Sequence, residues 1–122
     1  MGRDSLQMTG LTAETLLHLP VRVRGIHVGW PVDLILDAEG TRAIGLDVLC
    51  ADETHRFLAL AAAEVREDEI AVSSALTLLT DVELAFYRAQ GTTLRGRGLH
   101  DALLGNDWRI EALVTGEPAP AA

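Results

Sequence analysis

Between Val21 and Val72 the chain switches between apolar and polar residues with a period of two. That is the period of a strand with one covered face. Val21 and Val23 oppose Arg22 and Arg24, and Val32, Leu34 and Leu36 alternate with Asp33 and Ile35. Ile44, Leu46 and Val48 share one expected face and Asp47 takes the other. After Gly25 the parity shifts, with Ile26 and Val28 apolar around His27, as a β-bulge at a glycine would cause. Asp37-Ala38-Glu39-Gly40 predicts a hairpin turn in which Gly40 takes positive φ, and Ala51–His55 predicts the next turn. Arg56–Ala62 is apolar on both faces, the mark of a strand covered on both sides. The charged turn Arg66-Glu67-Asp68-Glu69 then precedes a short strand at Ile70 and Val72. About five strands within about fifty residues is the spacing of a small barrel or sandwich.

Helical signals flank this stretch. Leu11–Leu19 predicts a short helix capped by Thr12, with Glu14 in its first turn and Pro20 as its stop. Ser73–Leu79 is expected to be a compact connector. Thr80 and Glu83 have capping-box spacing, so a second helix is expected to run from there to Gly91, with Val82, Ala85, Phe86 and Ala89 as its inward stripe. Thr92–Gly98 is expected to be a loop or edge strand, and Leu99–Leu104 one or two helical turns. Trp108–Val114 alternates again and predicts a late strand. The expected organisation is a flexible leader at 1–10, one domain at 11–115, and a disordered Pro/Ala tail at 116–122.

Composition narrows the function classes. The chain has 122 residues, a size that suits one domain. Its net charge is −8 and all 10 basic residues are arginine, so a nucleic-acid footprint is not expected. The pairs Arg22/Arg24 and Arg95/Arg97 read as solvated faces. An anionic membrane surface is equally disfavoured, and no apolar run approaches the roughly 20 residues of a membrane span. Cys50 is the single cysteine, so no internal disulfide can form. With no signal-peptide pattern at the front, the expected location is the cytoplasm.

The stretch Val21–Leu79 resembles the PRC-barrel family. The resemblance is carried by Asp37-Ala38-Glu39-Gly40, Ile44-Gly45 and Asp47-Val48-Leu49, then by Phe57-Leu58-Ala59-Leu60, Ala63-Glu64-Val65 and Ile70-Ala71-Val72-Ser73. Glu83–Arg88 is similar to the helix that follows the barrel in some members. The lead-in Leu19-Pro20-Val21-Arg22-Val23 departs from the family's Leu-x-Gly-x-x-Val opening, and the Trp108 strand lies outside the pattern. The resemblance implies a mainly β fold with short helices: a small PRC-type β-barrel of about six strands, flanked by an N-terminal helix and a helix after the barrel. It implies an assembly or adaptor module, as in a ribosome maturation factor or the photosynthetic reaction-centre H subunit. It brings no catalytic residues.

No other catalytic, cofactor or metal site is expected from the residues. Cys50 and His55 are separated by a turn without a third orienting group, and Cys50 reads as a buried structural thiol. His18, His27, His55 and His100 lack ligand spacing, and Asp52-Glu53-x-His55 reads as an acidic turn rather than a metal site. The acidic cluster Glu64, Glu67, Asp68 and Glu69 reads as solvated, and Gly91, Gly96 and Gly98 as loop glycines. Trp30 and Trp108 are the candidate partner anchors. The expected function is therefore non-catalytic binding of an unidentified protein partner by a homodimer, without direct nucleic-acid contact or membrane insertion. The alternative is a small-ligand-binding or regulatory β-barrel domain.

Overall fold

The computed structural model describes residues 11–115; the expected leader, 1–10, and tail, 116–122, lie outside the described residues. The chain opens with β1 (Leu11–Thr12) and α1 (Ala13–Leu17). Thr12 caps α1 as its sequence predicts, its hydroxyl oxygen accepting from the Thr15 N–H at 3.2 Å. Ala13 and Leu16 are fully buried, so the short helix is held by its seat on the core.

The alternating stretch folds as β2 (Val21–Val23), β3 (Ile26–Leu36), β4 (Ala43–Cys50), β5 (His55–Ala59), β6 (Glu64–Val65) and β7 (Ile70–Val72). Gly25 does not sit in a bulge. Val23 pairs with Ile26, and Arg24 and Gly25 form the turn between them with φ of 52° and 87°. Two successive positive φ values define the tight hairpin turn whose twist matches the strands it joins, and such a turn needs glycine or a tolerant residue. The register slips lie elsewhere, at Val28 in the β2–β3 pairing and at Val32 and Ile44 in the β3–β4 pairing. The slip at Ile44 corrects its expected face. Ala43 turns into the main core with Leu46 and Val48, while Ile44 joins Ile35 and Phe57 on the other side of the sheet.

The β3–β4 turn follows its sequence signal. Gly40 has φ 73°, and the Asp37 carboxylate accepts from the Thr41 N–H at 2.8 Å and the Thr41 hydroxyl at 3.1 Å. Burial alone would raise the Asp37 pKa. Hydrogen bonds from Thr41, Arg42 and Gly40 together outweigh it and hold the carboxyl below its ordinary value.

After a turn of 3₁₀-helix at Ala75–Thr77, β8 (Leu78–Leu79) returns beside β5. A row of leucines then crosses four strands, Leu34 opposite Leu46, Leu46 opposite Leu58, and Leu58 opposite Leu78. All four are buried in the main cluster, each stabilising the fold by roughly 1.5–3 kcal/mol relative to exposure. The sheet order is β6-β7-β2-β3-β4-β5-β8, with β2 and β7 parallel. The fold is mainly β with two short helices, as expected. Its ladder is open, however: among the described residues no strand pairing joins β6 to β8, so hydrogen bonds do not close a barrel.

α2 (Asp81–Gln90) begins at the predicted capping box, where the Thr80 N–H donates to the Glu83 carboxylate at 3.1 Å. It packs on the sheet face opposite the leucine row, but through Leu84 and Tyr87. The expected inward stripe points outward: Val82 is 72% exposed, Phe86 55%, and Ala85 and Ala89 are also exposed.

β9 (Thr92–Thr93) pairs with the end of β3. Leu99–Leu104 is a strand, β10, rather than helical turns, and it pairs with both β1 and β11 (Ile110–Thr115). Six residues cannot sustain an isolated helix, whereas β11 pairs along β10 and β1 pairs with its last two residues, Leu103 and Leu104. This three-stranded sheet is tied to the β3–β4 hairpin by Ile110 N–H donating to the Thr41 carbonyl at 2.8 Å. Trp108 stands just before β11, in a turn with φ 60°, and packs half-buried against the main core.

Candidate functional site

The central strands of the large sheet are paired so that one row of side chains crosses the outer face. Trp30 on β3 lies opposite Leu49 on β4, and Leu49 lies opposite His55 on β5. Directly opposed residues project from the same face, so the three form a continuous strip. α2 does not bury this strip: Trp30 is 46% and Leu49 36% exposed. The His27 ring meets Trp30 edge-on, with centroids 4.9 Å apart at 83°, and its Nε2 lies 3.1 Å from the Gly29 carbonyl oxygen. That contact restricts the indole before any partner arrives.

His55 is fixed from beneath. Its Nδ1 donates to Asp47 Oδ1 at 2.7 Å, and the Asp47 side chain is 8% exposed. Asp47 Oδ2 lies 3.9 Å from the Arg88 guanidinium, so one buried carboxylate links β4, β5 and α2. Beside it the Phe57 and Tyr87 rings stack 4.2 Å apart at 11°. A Cβ at Gly45 would overlap the Phe57 ring, so the stack needs glycine beneath it. The outer face thus has a half covered by α2 and an open half presenting Trp30, Leu49 and His55.

The Asp47–His55 pair lies outside the contacts expected from the sequence. Its signal was present, since Asp47 is a charged residue in an otherwise apolar strand, and a tight β4–β5 hairpin brings His55 diagonally beside it. Such a pair orients an imidazole and leaves Nε2 available. Among the described residues no thiol or hydroxyl is hydrogen-bonded to His55, whose ring partner is Asp47 alone. Cys50 adjoins Leu49 in sequence and therefore points to the opposite face, where it packs half-buried against the main core. Burial pushes the Cys50 thiol up, the Arg56 charge opposing it only in part.

The other sequence candidates also separate. The Asp52 carboxylate binds the Thr54 N–H at 3.1 Å instead of converging with His55. Among the described residues there is no group of three or more His, Cys, Asp or Glu able to hold a metal ion. In the acidic turn, Glu69 bonds to Arg22 at 3.2 Å and Arg66 at 2.7 Å, which lowers its pKa through Arg22 first, against burial, and then Arg66. Trp108 serves the core more than the surface, so the two tryptophans part company: Trp30 is displayed and Trp108 is seated. No helix among the described residues is long and apolar enough to cross a membrane. Comparison with protein-family models, curated proteins and solved structures found no match.

Proposed function

We propose that this chain is a non-catalytic binding module that engages a protein partner through the open strip formed by Trp30, Leu49 and His55. The observation that carries the reading is the exposed Trp30–Leu49 pair, paired across the adjacent strands β3 and β4. A tryptophan held on rigid strands gives large contact area for little lost side-chain freedom, which is why such residues dominate interface energetics. The β4–β5 turn beside the strip carries exposed Asp52 and Glu53, and the chain has a net charge of −8. The matching partner surface is therefore an apolar residue bordered by basic side chains. The PRC-barrel resemblance of Val21–Leu79 points to the same class, an assembly or adaptor module.

The test is a quantitative pull-down from lysate of the source cells with RNase present, comparing the tagged chain with its Trp30→Ala variant. Proteins retained by the parent and lost by the variant, with both chains equally folded by circular dichroism, are the expected outcome. Identical captured sets from the two chains would remove the strip from the binding surface.

A further inference from the structure

The outer face of α2 is a second, separate surface. Val82, Ala85, Phe86 and Ala89 recur at the spacing of one helical stripe, and all four are exposed. Leu84 and Tyr87 already seat the opposite side of the helix on the sheet. A helix apolar on two opposite sides has one more surface to bury than its own chain covers.

We infer that this stripe is the contact between two copies of the chain, packed as antiparallel α2 helices about a two-fold axis between Ala85 and Phe86. The stripe is self-complementary under that operation, as a two-fold interface requires. Val82 is set against the partner's Ala89, and Phe86 against the partner's Ala85, so each large side chain meets a small one. The flanks match as well. Asp81 lies on the same flank as Arg88, and reversing one helix brings Asp81 beside the partner's Arg88. Glu83 and Gln90 share the other flank in the same way. Arg88 meets Asp47 only at 3.9 Å and keeps 52% of its side chain exposed, so the same guanidinium can also meet the partner's Asp81. A parallel pairing would instead set Phe86 against the partner's Phe86 and the Asp81 flank against the flank that carries Glu83, bringing like charges together. One 10-residue helix buries less than the roughly 800 Å² per partner of a standard interface, so the dimer is weak and reversible.

The experiment is sedimentation velocity on the full chain from about 10 μM to about 1 mM, where small interfaces associate. A concentration-dependent monomer–dimer equilibrium is expected, reduced at least tenfold in affinity by Phe86→Glu and unchanged by Trp30→Ala. Phe86 is exposed, and circular dichroism checks that the variant is folded. Under mild oxidant, Ala85→Cys is expected to give a covalent dimer several-fold faster than Leu49→Cys, because position 85 lies at the two-fold axis. A chain that stays monomeric throughout, a dimer indifferent to Phe86→Glu, or equal cross-linking at positions 85 and 49 would overturn the inference. Loss of dimerisation in Trp30→Ala alone would place the self-contact on the sheet strip instead.

Discussion

The two faces of the central sheet are built from the same three strands and have opposite fates. On the inner face Leu34, Leu46 and Leu58 stand in register and are fully buried. On the outer face, a few residues further along the same strands, Trp30, Leu49 and His55 stand in register and remain open. The inner row is chemically uniform, as packing against a core demands. The outer row mixes an indole, an aliphatic chain and an imidazole held by a buried carboxylate. A surface meant only to be wetted has no need of that tryptophan, and a surface meant to be core would not keep that histidine. The difference leaves the inner face filled throughout and the outer face filled only where Ile35, Phe57 and Leu84 meet beneath α2.

The contrast is broken most strongly by Leu46→Ala, which empties the middle of the inner row. It is expected to cost about 3 kcal/mol of unfolding free energy, read from the midpoint shift in urea. Leu49→Ala, three residues along the same strand, is expected to cost under about 1 kcal/mol, and equal losses would show that the two faces are not distinct. Gly45→Ala tests the covered half of the outer face. Its new methyl must displace the Phe57 ring from Tyr87, so a loss of about 2 kcal/mol and a weakened near-ultraviolet dichroism signal are expected. An unchanged near-ultraviolet spectrum would mean that the stack tolerates a Cβ beneath it. The smallest effect belongs to Trp30→Ala, at under about 1 kcal/mol, with loss of the more readily quenched component of tryptophan fluorescence by acrylamide. If the removed component were the shielded one, Trp30 would not be the displayed indole.

Much of the strand order was legible because period-two alternation and turn chemistry are local properties. The Asp37–Gly40 hairpin, the Arg66–Glu69 turn, the cap at Thr12 and the box at Thr80 each involve residues within four positions of one another. One departure is local, at Arg24-Gly25, where a two-residue turn takes the place of a bulge; the others depend on strand register or on packing against other elements. Leu99–Leu104 is a strand because β11 and β1, the latter more than ninety residues earlier, pair with it. Ile44 changed face because a register slip against β3 turned it over. The α2 stripe is the longer apolar run, yet it is Leu84 and Tyr87 that pack with Ile35 and Phe57. In the candidate site, the sequence singled out Trp30, but the strip around it depends on register and its Asp47 anchor on a diagonal contact.

The sequence alone determined the element types wherever a local pattern was sufficient: an alternating β stretch, two capped helices and the tight acidic turns. The tertiary structure alone decided which apolar surfaces were buried, which tryptophan was displayed, and that the strand ladder stayed open. Periodicity states that a face is apolar, but burial depends on which distant element reaches that face first. Here the leucine row found the core, α2 covered half of the other side, and Trp30 with Leu49 was left facing out.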